Sequence, residues 1–225
     1  MIPVCQCWDD GVASDVRLTD ILRRFDAPAT FNLCPGTHSA SRTSGWKFRG
    51  EFPVWKLGLG ELVAIYEGFQ IANHSMNHPR LTSLSRDEAA RDIQDGRDAL
   101  EQIFQKPITG FVYPFGDFNG EVAGLIADSG HSYARTTGGS DRLPEGDRVS
   151  IHPTVHFLSS AFWEEFDRCK AAEQPFYFWG HSYEMVTESQ WSGFEETISR
   201  ICDDPDVRWA SVEELAGRLR ALQAG

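Results

Sequence analysis

Two adjacent aspartates, Asp9 and Asp10, follow directly on an apolar run over residues 4–8 that is typical of a buried strand. Neighbouring carboxylates repel one another and disfavour extended structure, so this position calls for a positive charge nearby. A divalent metal ion is one candidate for that charge. The alternative interpretation is a turn at Asp10 and Gly11, with Asp9 capping the helix that follows.

A pair of histidines supplies further candidate metal ligands. His74 and His78 lie four residues apart in the stretch NHSMNHP, and Pro79 stops the chain just beyond them. On one turn of helix, or in a tight loop, this spacing lets two imidazoles face a common point. An isolated pair of this kind more often consists of exposed histidines that bind no metal. A pair combined with a strand-end aspartate predicts a metal site.

Strand-like runs alternate with helical patterns along the chain, which indicates an α/β fold. The predicted strands cover residues 4–8, 29–34, 69–74, 108–114, 132–137, 149–157, 175–182 and 207–211. The predicted helices cover residues 15–26, 60–68, 85–105, 121–130, 160–173, 190–203 and 212–222. Seven or eight strand–helix units favour a closed or nearly closed parallel barrel. A length of 225 residues with 41% hydrophobic content predicts one domain, residues 1–225.

In parallel barrels the chemistry gathers at the C-terminal ends of the strands. The polar residues best suited to chemistry all lie at such ends in the predicted strands. They are Asp9, Asp10, Asn73, His74, Arg135 and His181. The barrel rule therefore predicts that these side chains meet in one site.

Charge and hydropathy exclude several classes of partner. The 21 basic and 33 acidic residues give a net charge of −12, which opposes an extended grip on nucleic-acid phosphates or anionic lipid. No stretch of about 18 apolar residues predicts a membrane span. The chain enters its first strand almost at once, leaving no room for a signal peptide, so we expect a cytoplasmic protein.

The cysteines are odd in number and lack a paired-ligand spacing such as C-x-x-C. We expect reduced thiols that pack in the core. They are Cys5, Cys7, Cys34, Cys169 and Cys202.

Four short stretches resemble the motifs of the polysaccharide deacetylase family, which is carbohydrate esterase family 4 or the NodB homology domain. CWDDG resembles T-F-D-D-G, and NHSMNHP resembles H-[ST]-x-x-H-P. FVYPFG, residues 111–116, resembles R-P-P-[YF]-G, and WGH at residues 179–181 resembles the closing motif. The resemblance runs in motif order from residue 4 to about residue 184, and it implies a distorted (β/α) barrel of about seven parallel strands.

The resemblance implies a metal-dependent hydrolase that removes an acyl group, N-acetyl first, from an amino sugar or a related small amide. Asp10, His74 and His78 would hold one divalent ion, zinc by preference, with cobalt, nickel or manganese as alternatives. Two imidazoles and one carboxylate leave such an ion open positions for water and substrate. Asp9 would act as the general base beside it.

Two further roles follow from the resemblance. The backbone N–H of Phe115 would stabilise the oxyanion that forms from the acyl carbonyl. His181 would protonate the departing amine, and its alternative is a core histidine on a buried strand. Glu184, three residues later, either orients this imidazole or is solvated.

One departure from the family pattern puts activity in doubt. Val112 stands where the family has the arginine that pairs with the catalytic aspartate, and no D-x-x-D-W-like fourth motif is evident. Either the site is inactive or another residue substitutes. Arg135, at the end of the next predicted strand, is our candidate substitute for pairing with Asp9.

The substrate contacts are predicted from aromatic and histidine side chains at Trp46, Tyr113, His156 and Trp179. The segment between the second strand and residue 60 is long and rich in aromatic and basic residues, and it is interpreted as a lid or wall over the pocket. We expect a small carbohydrate or sugar-derived amide as partner, and no oligomeric state is predicted. A barrel that binds carbohydrate without turnover, and a deformylase or other amidohydrolase, are the alternatives.

Overall fold

Parallel strands alternate with helices in the computed structural model, which describes residues 1–138 and 148–223, the side chains of residues 218–223 excepted. The strands within these ranges are β1 (Ile2–Asp9), β2 (Thr30–Leu33), β3 (Thr43–Phe48), β4 (Phe52–Lys56), β5 (Gln70–Asn73), β6 (Gly110–Val112), β7 (Tyr133–Arg135), β8 (Val155–His156), β9 (Phe176–Gly180) and β10 (Val207–Trp209). The helices are α1 (Asp15–Arg24), α2 (Leu59–Ile65), α3 (Arg86–Phe104), α4 (Gly120–Asp128), α5 (Phe162–Ala171), α6 (Glu188–Cys202) and α7 (Val212–Gln223).

The parallel strands form one curled sheet in the order β7-β6-β5-β2-β1-β9-β8, and β10 pairs with the first residues of β1. The segment from Ile151 to the end of β8 links the two edges of this sheet. Ile151 bridges to Arg135 in β7, and β8 pairs with β9. The prediction of a distorted (β/α) barrel of about seven parallel strands is therefore confirmed.

Strand β1 lies at the centre of the sheet and is buried along its whole length. This is why its sequence is apolar up to the two aspartates except at Gln6, whose buried amide donates to the Pro28 carbonyl and accepts from the Trp8 indole N–H. Trp8 packs edge-to-face against Phe157 and Phe194, at ring-centroid distances of 4.9 and 5.2 Å. The strand end that carries Asp9 is thus anchored from two sides of the core.

The prediction of a single strand over residues 149–157 is wrong. Ile151 forms an isolated bridge, and the regular strand is only Val155–His156. Pro153 lies between them, and its missing N–H removes a hydrogen bond that a continuous strand would need.

The segment predicted as a lid or wall forms an antiparallel hairpin of β3 and β4, which sequence analysis did not identify as strands. Lys56 bridges to Val12. The Ala13 N–H donates to the Trp55 carbonyl at 2.7 Å, and the Leu57 N–H donates to the Gly11 carbonyl at 3.2 Å. These bonds fasten the hairpin to the loop that directly follows the two aspartates.

Among the helices of the described residues, we find none with the length and apolar character needed to cross a bilayer.

Candidate active site

The two aspartates reach the same space because the chain turns sharply after β1. Asp10 has φ 85° and Gly11 has φ 63°, a left-handed conformation that Asp tolerates and glycine favours. A Cβ at Gly11 would lie 2.7 Å from the His38 ring, so no side chain fits there. The turn predicted at Asp10 and Gly11 is present, but the residue preceding helix α1 as its N-cap is Ser14.

The two histidines of the second motif lie in a tight loop, in which Ser75 and His78 have positive φ values of 66° and 57°. The Nε2 atoms of His74 and His78 face each other at 3.1 Å, and His78 Nε2 lies 3.7 Å from Asp10 Oδ1. His74 Nδ1 donates to the Val112 carbonyl at 2.8 Å, which leaves its Nε2 lone pair directed at this cluster.

The charge state of these groups suits a divalent cation. Burial lowers the pKa of His74 to about 4 and also lowers the pKa of His78, so both imidazoles are neutral near pH 7. Burial alone would raise the pKa of Asp10, but Lys56 and the histidines outweigh it and keep the carboxylate ionised. Two Nε2 atoms at 3.1 Å repel through their lone pairs unless a proton or a cation lies between them. The donor set therefore fits a divalent metal ion.

Cys34 lies at the edge of this cluster, with Sγ within 4.8 Å of the three predicted metal ligands. Its thiol donates to the His74 carbonyl at 3.0 Å. Burial raises the pKa of this thiol well above its usual range, so it remains a neutral donor. Of the five cysteines, all but Cys202 are buried, and all five are free thiols.

Asp9 is held by two side chains at the base of the pocket. Arg135 Nη2 lies 2.5 Å from Asp9 Oδ2, and Asn32 donates to Asp9 Oδ1 at 2.6 Å. Burial alone would raise the pKa of Asp9, but the Arg135 guanidinium, His74, His181 and the Asn32 hydrogen bond together outweigh it and hold this pKa below its usual range. The guanidinium is fully buried and stacks on the Trp179 ring at 4.7 Å. The structure thus brings together the two residues that sequence analysis paired.

The register of the sheet explains how this arginine reaches the site. Val112, which stands where the family motif has arginine, lies directly beside Arg135 in the pairing of β6 with β7. The two positions are neighbours at the same end of adjacent strands. The guanidinium of Arg135 on β7 therefore enters the barrel close to where an arginine at position 112 on β6 would place its own.

His181 faces both aspartates. Its Nε2 atom lies 3.9 Å from Asp9 Oδ2 and 3.8 Å from Asp10 Oδ2. Its Nδ1 atom lies 3.3 Å from Glu184 Oε2, which is also 2.9 Å from His156 Nε2. Burial opposes protonation of His181, but the Glu184 hydrogen bond and the two aspartates raise its pKa above the usual value. The pKa of Glu184 falls to about 2, so this carboxylate is ionised.

A buried carboxylate fixes the loop of His181 to the loop of the aspartates. Asp15 accepts hydrogen bonds from Ser182 Oγ, from Tyr66 Oη at 2.6 Å and from the Val12 N–H at 3.1 Å. Burial raises its pKa to about 6. Sequence analysis did not single out Asp15, because its position at the start of an amphipathic helix reads as ordinary helix capping.

The third motif forms a single helical turn, Pro114–Gly116, in which Phe115 has φ 59°. The Phe115 ring packs on His78 at 4.5 Å, and the Arg80 guanidinium lies 4.5 Å above the same ring. Tyr113 is buried and donates through Oη to the Val149 carbonyl at 2.7 Å. This turn therefore forms one wall beside the histidine pair.

The two aspartates, His74, His78, His181 and the turn of the third motif surround one pocket of about 970 Å³. Nine predicted site residues line it: Asp9, Asp10, Trp46, His74, His78, Tyr113, Phe115, Trp179 and His181. Arg135 lies beneath the pocket, against Asp9. His156 is not among the lining residues. Its Nε2 atom lies 2.9 Å from Glu184 Oε2, behind His181, and its contact with substrate stays a prediction.

Tyr183 lines the pocket although sequence analysis did not assign it there, and Lys56 lines it as one of the basic residues of the segment predicted as a lid or wall. Tyr183 packs against Trp46 of the hairpin at 5.2 Å. The signal for Lys56 was available in the alternation of β4, where Val54 and Lys56 occupy the buried face. The signal for Asn32 was its place at the end of a predicted strand beside that of Asp9.

A family model described as polysaccharide deacetylase matches residues 2–134, more than half of the chain. A curated relative, the peptidoglycan-N-acetylmuramic acid deacetylase PdaC of Bacillus subtilis, is 41% identical over 56 residues, which make up 25% of this chain and 12% of the relative. A solved structure of a proposed polysaccharide deacetylase from Mycobacterium smegmatis has a TM-score of 0.70 at 19% identity, over 99% of this chain and 91% of the other. A carbohydrate esterase family 4 pseudoenzyme from Bacillus anthracis has a TM-score of 0.59 at 18% identity, over 95% of this chain and 65% of the other. The two structural likenesses concern the fold alone.

Proposed function

This chain belongs to the polysaccharide deacetylase family, and from that premise we propose that it is a metal-dependent hydrolase that removes an acyl group, N-acetyl first, from an amino sugar. Family membership supports deacetylation of a carbohydrate as the reaction class. The observation that carries the finer proposal is the convergence on one pocket of two neutral imidazoles, two ionised carboxylates and a third imidazole of raised pKa.

Asp10, His74 and His78 would hold one divalent ion, and zinc is our first choice because the three side chains leave positions open. When bound, such an ion supplies Lewis acidity to the acyl carbonyl and acidifies water. The Val112 carbonyl fixes the tautomer and the ring orientation of His74, which such a site requires.

Asp9 is the proposed general base. Its Oδ1 atom accepts from Asn32 and its Oδ2 atom from Arg135, and each carboxylate oxygen retains a second lone pair for a proton from water. Arg135 keeps the carboxylate ionised near pH 7 and fixes its direction, so Asp9 is ready to accept that proton. Asp10 is the metal ligand, and the two neighbouring carboxylates thus have separate roles.

His181 is the proposed general acid. Glu184 accepts a hydrogen bond from Nδ1. This bond directs Nε2 at the two aspartates and at the space where the leaving amine would lie. Because the Glu184 hydrogen bond and the aspartates raise the pKa of His181 above its usual value, they favour the protonated imidazole, which would donate its proton to the amine. The backbone N–H of Phe115 is the proposed donor to the oxyanion.

The second candidate function is a barrel that binds carbohydrate without turnover. The departure at Val112 favours it, and the likeness to a pseudoenzyme shows that this fold occurs without activity. The ion pair between Arg135 and Asp9 weighs against it, because this arginine occupies the place that the motif arginine would otherwise fill.

A panel of acylated amino sugars, esters and small amides tests the proposal, with released acetate and formate both measured on protein loaded with zinc. We expect acetate from an N-acetylated sugar. Asp9→Asn should keep its metal and lose turnover by roughly 100-fold or more, as expected when a positioned general base is removed. Asp10→Ala should lose both metal and turnover. Sugar binding without release of any acyl group would support the second candidate, and near wild-type turnover of Asp9→Asn would refute the assignment of the base.

A further inference from the structure

A second histidine contacts the carboxylate that holds the proposed general acid. His156 Nε2 lies 2.9 Å from Glu184 Oε2. The same oxygen accepts from the His181 backbone N–H at 3.1 Å and lies 3.3 Å from His181 Nδ1. The contact with His156 is the shortest of the three, and it comes from another element, strand β8. Glu184 is therefore fixed from outside its own turn as well as from within it.

The tautomer of His156 follows from the bond at its other ring nitrogen. The Leu158 N–H donates to His156 Nδ1 at 3.3 Å, so Nδ1 carries a lone pair and no proton. The proton of this neutral ring is then on Nε2, which faces Glu184. His156 therefore donates to the carboxylate. Its Nε2 atom has no lone pair for a metal ion, although His156, His181 and Glu184 have the spacing of a metal-ligand group.

The sheet fixes His156 beside His181. His156 pairs with Trp179 in the register of β8 and β9, and Trp179 lies two residues before His181. The Trp179 ring packs edge-to-face on the His156 ring at 4.9 Å. A Cβ at Gly180 would clash with the Phe157 ring and lie 3.3 Å from His156 Nε2, so the close approach of these two rings depends on a glycine here. The pairing of β8 and this glycine thus bring the imidazole against the loop that follows β9.

The charge of Glu184 supports the same arrangement. Its side chain is 15% exposed, and burial alone would disfavour the ionised form. The hydrogen bond from His156 is the largest of the interactions that outweigh burial and lower the pKa of Glu184 to about 2. A glutamate side chain also has rotamer freedom that a fixed donor at its oxygen removes. His156 therefore keeps this carboxylate ionised and holds it in one place.

We propose that His156 is a positioning residue: it holds the Glu184 carboxylate, and this carboxylate holds the His181 ring with Nε2 facing the pocket. This inference rests on the proposed function, in which His181 is the general acid. A half-turn of the His181 ring would put a carbon atom in the place of Nε2, and the bond from Nδ1 to Glu184 opposes this rotation. His156 transfers no proton itself and acts through Glu184.

Nitrogen-15 NMR of the histidine rings in the zinc-loaded protein tests this arrangement without any substrate. In the wild type we expect His156 as the Nε2–H tautomer and His181 with a proton on Nδ1, assigned from the signals lost in His156→Leu and His181→Gln. His156→Leu should leave the His181 ring in exchange between tautomers. His156→Gln, whose amide places an N–H near the position of Nε2, should keep the proton on His181 Nδ1. An Nδ1–H tautomer at His156, or an unchanged His181 spectrum in His156→Leu, would overturn the inference. If His156→Leu does not fold, the wild-type tautomers and His156→Gln decide.

The leaving group distinguishes the positioning of an acid from a direct contact with substrate. An amine needs a proton to leave, whereas nitrophenolate leaves without one, so only the amide should respond to the orientation of His181. His156→Leu should lower kcat for an N-acetylated amino sugar by about 10- to 100-fold, within the ~10²- to 10⁴-fold that a general acid contributes. KM and the hydrolysis of nitrophenyl acetate should stay at wild-type values. A rise in KM alone would make His156 a substrate contact and overturn the inference.

His152→Leu is the matched control, because His152 lies four residues before His156 on the same segment and bonds through Nδ1 to Thr136 Oγ1 instead of Glu184. It should leave the His181 tautomer and kcat for the amide unchanged. In Glu184→Gln, the further change His156→Leu should have no additional effect on kcat, since His156 acts through Glu184. Additive effects of the two changes would overturn the inference. If the wild type hydrolyses no amide, the deacetylase function fails and the NMR spectra alone decide the positioning.

Discussion

Replacing Arg135 by methionine should lower both the stability of the protein and its turnover in the proposed reaction. The side chains of Arg135 and Asp9 are 0% and 3% exposed, so Arg135→Met leaves a buried carboxylate without its counter-charge. Removing one partner of a buried ion pair costs about 3 to 5 kcal/mol in the free energy of unfolding. Denaturant unfolding at pH 7 measures this loss without any substrate. Arg24→Met, which breaks the exposed pair with Glu195, is the control and should leave the denaturation midpoint nearly unchanged.

The pH dependence of this loss follows from the pKa of Asp9. In the wild type that pKa is held below its unfolded value of about 3.9, so the carboxylate adds stability above that pH and loses it as pH falls through the folded pKa. In Arg135→Met, burial dominates and raises the pKa of Asp9 instead. The variant then gains relative stability at low pH, where Asp9 is protonated. The difference between the two proteins should therefore be largest near pH 7, begin to shrink as pH falls through the raised pKa of Asp9 in the variant, and go on shrinking towards the lowered pKa of Asp9 in the wild type.

The same shift should appear in the kinetics. Asp9 must be ionised to act as a base, and loss of an opposite charge at this distance raises a carboxylate pKa by about 1 to 3 units. The acidic limb of the pH–rate profile for acetate release should move upward by that amount, while metal content stays near the wild-type level. Only Nη2 of Arg135 contacts Asp9, so the single ammonium of Arg135→Lys should recover part of the activity.

A double-mutant cycle with Asp9→Asn decides whether Arg135 acts through Asp9. Coupled residues give an interaction free energy above about 0.5 kcal/mol, whereas independent residues are additive within that margin. Additivity of Arg135→Met and Asp9→Asn, in stability and in turnover, would refute the reasoning. An unchanged acidic limb in Arg135→Met would do the same for its effect on the pKa of Asp9.

The remaining predictions concern the metal ligands, the general acid and the buried carboxylate. His74→Ala and His78→Ala should each lose the metal, and elemental analysis that finds wild-type metal content in both would contradict the assignment. Glu184→Gln should lower the pKa of the general acid, so the alkaline limb of the pH–rate profile should move to lower pH with metal content unchanged. Asp15→Ala should cost about 3 kcal/mol or more in denaturant unfolding, because three buried donors lose their acceptor. Asp20→Ala, at an exposed position of the same helix, should stay within about 0.5 kcal/mol of the wild type.

Local patterns in the sequence determined the alternating α/β architecture and the positions of the candidate site residues at strand ends. The apolar run before Asp9 forms a strand that is buried on both faces. This burial can be predicted from the composition of the run alone. The capping box of Ser85 and Glu88 at the start of α3 was likewise predictable, since it involves residues three apart. In each case the interaction that decides the structure lies within a few residues.

Contacts between distant strands could be settled only by the tertiary structure. Arg135 meets Asp9 across 126 residues, and an arginine at a strand end could equally face solvent until strand order and the curl of the sheet bring it inward. His156 was predicted to contact substrate, and only the structure shows that its Nε2 atom lies 2.9 Å from Glu184 Oε2. Lys56 reaches Asp10, a proposed metal ligand, because β4 bridges to the loop after Asp10. Periodicity shows which side chains turn inward, but only the packing of strands from different parts of the chain decides which of them meet.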